Sequence, residues 1–447
     1  MVICFGERGL LSSKAITKIQ SIILIAIIAI AAVGGAVYVL NGNPQQTETI
    51  KIGIVGDIDY IYGKAALQGA ILAAEEINSE GGVLGRNIEI IEEDSDSEQT
   101  GDTALGISAL TRLITHHQVE VIITPDIGYM VLPYQDIVSE HEKILMGVRP
   151  TENELTQRVL DDYNTYKYFF RVYYPNETSN NENAIANLLT AREYTGFNKV
   201  GYLIEDLPVL NKYAKSLEDS LDEIGGFDLI YKGKCPPGTV DFTSYFAAAE
   251  AAGIEILFPM IVTPAGISFV KEWYDRQSPF IVWGVIGVAQ DYDFWDSTDG
   301  KGEYITSASL PVVAGYPYTS ETIPLREAYF NRWGSIPNAI AASSYDVVRF
   351  ILYDAFIRAG TTETEEVISA LEETSIETSA AKDFVFTSSH DVLVDENPYN
   401  PTSDYLIQIG FQWQNGEMVP VYPKKIMEEA RATYLFPDWP GPWDNIN

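Results

Sequence analysis

The stretch Ile50–Asp96, IKIGIVGDIDYIYGKAALQGAILAAEEINSEGGVLGRNIEIIEEDSD, constrains the fold more than any other part of the chain. Ile50 to Val55 is a β-branched run closed by Gly56, the pattern of a strand buried on both faces. Ala65 to Asn78 follows with apolar residues at helical spacing and a stop at Gly81-Gly82. Asn87 to Ile91 is a second apolar strand, which breaks into an acidic turn, Glu92 to Glu98. Strand, helix and strand in this order form a βαβ unit, so the two strands lie parallel in one sheet.

The same grammar continues along the chain. Helices are predicted over 102–116 and 132–141, and strands over Val119–Thr124 and Lys143–Val148. Phe169–Tyr174 reads as a first crossing into a second lobe. There helices at 183–193, 211–224, 241–252 and 266–274 alternate with strands at 199–204, 228–232, 254–260 and 279–285. Long amphipathic helices at 321–334 and 339–359 follow, then a helix at 364–373. Tyr405–Tyr422 reads as a β-hairpin around Asn415-Gly416.

With 63 acidic against 29 basic residues the net charge is −34, which repels nucleic acid. The two cysteines, Cys4 and Cys235, fall on opposite sides of an apolar run, so no disulfide framework is expected. That run, Ser21–Leu40, carries no formal charge, and as a helix it is long enough to cross a bilayer core. Arg8, Lys14 and Lys18 precede it, which places the N-terminus in the cytoplasm and the rest of the chain outside. It reads as a retained anchor, with a cleaved signal peptide as the other reading.

The wording AAEEIN, then SEGGVLGR, then an apolar strand running into paired acids resembles the opening of type I periplasmic binding proteins. The branched-chain amino-acid (Leu/Ile/Val) binding family of ABC transporters is the nearest pattern, and KAITKIQSIIL resembles the signal region of archaeal members. The resemblance extends to about residue 425 through DFTS at 241–244 and SSYDVVRFILYDAFIRAG. It implies an α/β fold of two doubly wound parallel-sheet lobes joined by a three-stranded hinge. The expected division is 1–20 cytoplasmic, 21–40 transmembrane, 41–49 tether, 50–170 with 300–385 as lobe one, 171–299 with 386–430 as lobe two, and 431–447 as a tail.

It also implies ligand-facing loops after the strands. Tyr62-Gly63 matches the family's Tyr-Gly, whose tyrosine lies against the ligand, although the tyrosine equally suits a turn. The family's third loop meets a ligand carboxylate with backbone N–H groups at a helix start; here that loop reads PDIGYM, offering Gly128 and Tyr129 in place of serines. Gly147–Thr151 followed by ENELT aligns with the family's T/S-P-A-A-T-x-x-E-L-T, which puts Pro150 and Thr151 at the ligand. As an alternative, Thr151 caps a helix. Arg149 departs from the pattern, and suits either a carboxylate clamp or a surface ion pair. In lobe two the family's tyrosines fall at Val209 and near Val262 or Thr263, and its ammonium-binding acid falls at Ile286. Asp206, Asp57 or Asp291 then substitutes, or the ligand is not a free α-amino acid, because a buried unpaired ammonium costs several kcal/mol.

Enzyme readings lack their parts. The four histidines form no HExxH, and there is no GxSxG, Walker loop, GxGxxG or CxxC. Asp94–Glu98 lacks the glycine and terminal acid of a calcium loop. Neither metal nor cofactor is expected, and Asn176-Glu177-Thr178 is a glycosylation sequon. The expected protein is a non-enzymatic extracytoplasmic receptor that hands a small solute to ABC permease subunits. A ligand-sensing ectodomain of the same fold is the alternative.

Overall fold

Two parallel sheets, each over its own hydrophobic core, organise the computed structural model, which describes residues 49–96, 100–172 and 176–446. The first sheet has the order β2-β1-β3-β4-β5, with β1 at Ile50–Gly56, β2 at Ile88–Asp94, β3 at Val121–Thr124, β4 at Ile144–Gly147 and β5 at Phe169–Arg171. All its pairings are parallel. In β1 every residue but Lys51 is buried, as the unbroken β-branched run predicts. Helices α1 (Ile61–Ser79), α2 (Thr103–Arg112), α3 (Gly128–Glu140) and α4 (Asn153–Asp161) connect or flank these strands.

The second sheet runs β10-β8-β6-β7, from β6 (Lys199–Glu205), β7 (Asp228–Cys235), β8 (Ile256–Ile261) and β10 (Val285–Ile286), with β9 (Ile281–Val282) also paired to β8. Its helices are α5 (Glu177–Thr195), α6 (Pro208–Ile224), α7 (Thr243–Ala252) and α8 (Ala265–Arg276). The strand expected over 279–285 is broken in two because Gly284 turns its N–H to the Thr306 carbonyl at 3.1 Å. Helix α5 starts six residues before the expected Asn183. Asn176 caps it by accepting from the Ser179 N–H at 2.8 Å, reciprocated by the Ser179 hydroxyl.

The first core gathers residues 50–172 and 310–406, and the second gathers 184–305 and 407–443 with Ala314. The chain therefore passes between the cores three times. Phe386, Val392 and Leu406 pack in the first core, beyond the boundary read at 385. In the first core, α9 (Thr322–Trp333) and α10 (Ala339–Asp346) cover α1, and α10 runs through a π-helical turn, Val347–Leu352, into α11 (Tyr353–Ala359). Helix α12 (Thr364–Glu372) packs on α11.

A third sheet, β11-β12-β13, is antiparallel and joins Thr306–Ser309 (β11) to the hairpin Ile409–Gln414 (β12) and Glu417–Tyr422 (β13). Asn415 and Gly416 both have positive φ, 53° and 86°, as the two-residue turn requires. The tail is part of the structure: Tyr434, Trp439 and Trp443 are buried in the second core, and Trp439 packs against Trp273 with ring centroids 5.1 Å apart. The expected transmembrane segment 21–40, the cytoplasmic stretch and most of the tether lie outside the described residues. Among the described residues no helix is long and apolar enough to cross a membrane.

Candidate functional site

A cavity of about 210 Å³ opens where the three passages between the cores come together. Its main wall is α5, which presents Asn180, Asn183 and Asn187 at positions i, i+3 and i+7 along one helical face. Helix α6 adds Val209, Tyr213 and Ser216, and β8 with the following loop adds Phe258 and Val262. Gly284, Val285 and Gln290 close the far side, while Ala308 and Gln408 come from the crossing segments. Thr151 is the contribution of the first core.

The polar lining is mostly held in place. Asn187 donates to the Asn183 carbonyl at 2.7 Å and accepts the indole N–H of buried Trp283 at 2.9 Å. Asn183 donates to the Ser179 carbonyl at 2.6 Å, and the Ser309 hydroxyl donates to Gln290 Oε1 at 2.8 Å. The charged lining residues, Glu177 and Lys212, form an ion pair with each other. Helix α5 is tied to the loop after β4 by the Glu177 N–H donating to the Thr151 carbonyl at 2.8 Å and by Asn153 Nδ2 donating to Thr178 Oγ1 at 2.8 Å.

The residues expected at the ligand from sequence are distributed more widely. Thr151 lines the cavity, and the helix cap falls on Glu152 instead. Arg149 lays its guanidinium 3.8 Å from the centre of the Tyr62 ring and donates to the Pro125 carbonyl at 3.3 Å. This brings Tyr62 and Arg149 together at the first core's edge. Pro150 is buried, its carbonyl accepting from Arg171 at 3.3 Å. Gly128 is buried at the start of α3, and Tyr129 beside it is 48% exposed.

Thr263 is committed to buried Glu205, through its hydroxyl and, at 3.0 Å, its N–H. Its neighbour Val262 faces the cavity in its place. Ile286 is fully buried and packs toward Gly266, leaving Val285 on the lining. Asp206 is exposed and accepts from Asn211 at 2.8 Å. Neither Asp57 nor Asp291, the other candidate ammonium acceptors, lines the cavity. Burial and neighbouring Asp293 push the Asp291 carboxyl up to about 7.

Two of the histidines and the sequon's asparagine have partners within the fold. His117 pairs with Glu93 at 2.9 Å, and His390, buried and stacked on Phe170, has its pKa held below the ordinary value by burial. The Asn176 amide donates to Asp391 at 3.0 Å as well as capping α5. Among the described residues no group of His, Cys, Asp or Glu is placed to hold a metal.

The α5 face is what sequence reasoning missed. Its signal was present as Asn180, Asn183 and Asn187 at helical spacing along one face of the helix.

The family model for periplasmic binding proteins matches residues 49–395. The chain belongs to the periplasmic binding protein family. This periplasmic binding protein is 24% identical over 377 residues to Leu/Ile/Val-binding protein homolog 7 of Brucella suis, a match covering 81% of the chain and 88% of that relative. Its fold is that of a putative branched-chain amino acid ABC transporter from Silicibacter pomeroyi, with a TM-score of 0.74 at 20% identity, covering 88% and 100% of the two chains. It also matches the substrate-binding protein LivJ of Streptococcus pneumoniae in complex with isoleucine, with a TM-score of 0.66 at 20% identity over 83% and 100%. A solute-binding protein of an ABC transporter from R. palustris in complex with benzoate gives a TM-score of 0.65 at 14% identity over 83% and 95%. These likenesses establish the type I fold with its two parallel sheets.

Proposed function

We propose that this protein is an extracytoplasmic receptor that captures a small polar solute between its lobes and presents it to the permease subunits of an ABC importer. The lobes in this reading are the two cores, and the passages between them are the hinge. The observation that carries it is the cavity at that hinge, walled by α5 and α6 of one lobe and touched by Thr151 of the other. Closure of the lobes over such a cavity removes the solute from water and creates a shape that a permease distinguishes from the empty receptor.

Relatives described as Leu/Ile/Val-binding homologues and as ABC transporter proteins support the transport role. The absence of a nucleophile-and-base pair in the sequence accords with a role without chemistry. The apolar run 21–40 serves as the membrane anchor and 41–49 as the tether. Tyr62, Gly128, Tyr129, Arg149 and Pro150 remain the first lobe's candidates for contact on closure, and Asp206, Thr263 and Ile286 act by shaping the second lobe's loops.

Isothermal titration against amino acids, short amides, polyols and aromatic acids tests this. The expected result is saturable one-to-one binding of at least one solute, lost when Ala308 is enlarged to tryptophan. Silence across the whole panel overturns the proposal.

A further inference from the structure

We infer that the cavity selects uncharged solutes bearing amide or hydroxyl groups and discriminates against carboxylates, because its charged lining residues cancel and the chain's own Glu152 carboxylate lies against the first lobe's helix start at Gly128. This rests on the reading of the protein as a solute receptor.

The first observation is at the start of α3. A helix N-terminus offers unsatisfied N–H groups and a partial positive charge, which favour an anion. Here the Glu152 carboxylate lies against that end: a Cβ built on Gly128 would overlap Glu152 Oε2 and Cδ and lie 2.6 Å from Oε1. Glu152 Oε2 also accepts the Thr151 N–H at 3.1 Å, which fixes the carboxylate beside the one first-lobe residue that lines the cavity. A ligand carboxylate reaching past Thr151 toward that helix end approaches a like charge.

The second observation is the lining itself. Lys212 and Glu177 neutralise each other, Glu177 Oε2 also accepts the Asn153 N–H at 3.2 Å, and no other charged residue lines the cavity among the described residues. The wall thus offers neither an unmatched cation for a carboxylate nor an unmatched anion for an ammonium. What it offers is neutral: the side chains of Asn180, Ser216 and Gln408 make no hydrogen bond to other described residues, and Gln290 uses its Oε1 while its amide nitrogen stays available. Val209 and Val262 supply an apolar surface beside them. That combination matches a neutral molecule with a hydrogen-bonding head and an apolar body.

The experiment compares solutes that differ only in the charged group. The purified protein is titrated with isovaleramide against isovalerate, benzamide against benzoate, and with L-leucine, and then as Glu152→Ala and Glu152→Gln. The neutral member of each pair is expected to bind the native protein about tenfold tighter or better, with L-leucine weaker than isovaleramide. Glu152→Ala removes the carboxylate beside the helix end and is expected to recover about tenfold in carboxylate binding, whereas Glu152→Gln, which keeps the bulk there, recovers less. If Glu152→Ala does not fold, the native pairs decide alone. Benzoate or L-leucine binding as tightly as the neutral solutes overturns the inference and leaves the receptor reading standing. Silence toward both members of every pair and L-leucine overturns the inference, and silence across the wider panel above removes the receptor reading with it.

Discussion

Arg171 and Asp391, 220 positions apart, meet in a buried two-point ion pair, with Nε 2.8 Å from Oδ1 and Nη2 2.9 Å from Oδ2. The Arg171 side chain has no exposed surface, and its remaining donors reach Thr156 Oγ1 at 2.9 Å and the carbonyls of Glu152 at 2.9 Å and Pro150 at 3.3 Å. One guanidinium therefore ties the end of β5, the loop after β4 and the segment before the last passage into a single junction.

Removing one partner leaves the other charge buried and unpaired. Arg171→Met is expected to cost about 3–5 kcal/mol in urea unfolding. The double variant Arg171→Met with Asp391→Leu is expected to cost less than the sum of the two single changes. A single-variant cost below about 1 kcal/mol contradicts this account.

The crossing of α1 and α10 depends on Gly69. A Cβ there would overlap the Ala341 carbonyl oxygen, 2.9 Å from its carbon and 3.1 Å from the Tyr345 nitrogen, all of them backbone atoms. Glycine to alanine inside a helix ordinarily gains up to about 1 kcal/mol. Gly69→Ala is instead expected to destabilise by about 2 kcal/mol, seen as a lowered Tm with an unchanged far-ultraviolet spectrum.

Asp346 supplies a pH signature. Burial pushes its carboxyl up to about 7, against the hydrogen bonds from the Ser379 N–H at 3.3 Å and hydroxyl at 2.9 Å. A raised acid is protonated in the fold while still ionised in the unfolded chain, so stability falls as pH rises from about 4 to about 7 and then levels. Asp346→Asn removes that dependence, and its Tm advantage over the native chain is expected to grow between pH 4.5 and pH 7.5. An advantage independent of pH would contradict the assignment.

The cavity wall is tested by filling it. Ala308→Trp on β11 is expected to weaken solute binding at least about tenfold in calorimetry while changing urea stability by less than about 1.5 kcal/mol. Undiminished binding would move the site elsewhere.

The fold was legible where one local rule dominates. The opening βαβ unit needs only β-branched runs around a helical period, and the hairpin needs only Asn415-Gly416 between alternating strands. The site was less legible because the rule that ligands gather at loops beyond strand ends points away from α5, whose asparagines resemble a solvated face until Trp283 and the crossing segments are packed against them. Glu152 was equally hidden. Its motif reads as a helix start, and nothing local shows that its carboxylate reaches Gly128, which precedes it on another helix. Ile286 marked a lost acid, yet its neighbour Val285 faces the solute space, a one-residue phase that strand pleating sets and composition does not reveal.

Because Asn180, Asn183 and Asn187 stand on successive turns of one rigid rod rather than on separate loops, the helix itself sets their spacing along the cavity wall. A change at Asn180 leaves the placement of the other two intact, whereas one at Asn187 also strips the buried Trp283 indole N–H of its acceptor. The polar character of this wall can thus be changed by a single step at Asn180 without rebuilding the frame that carries it.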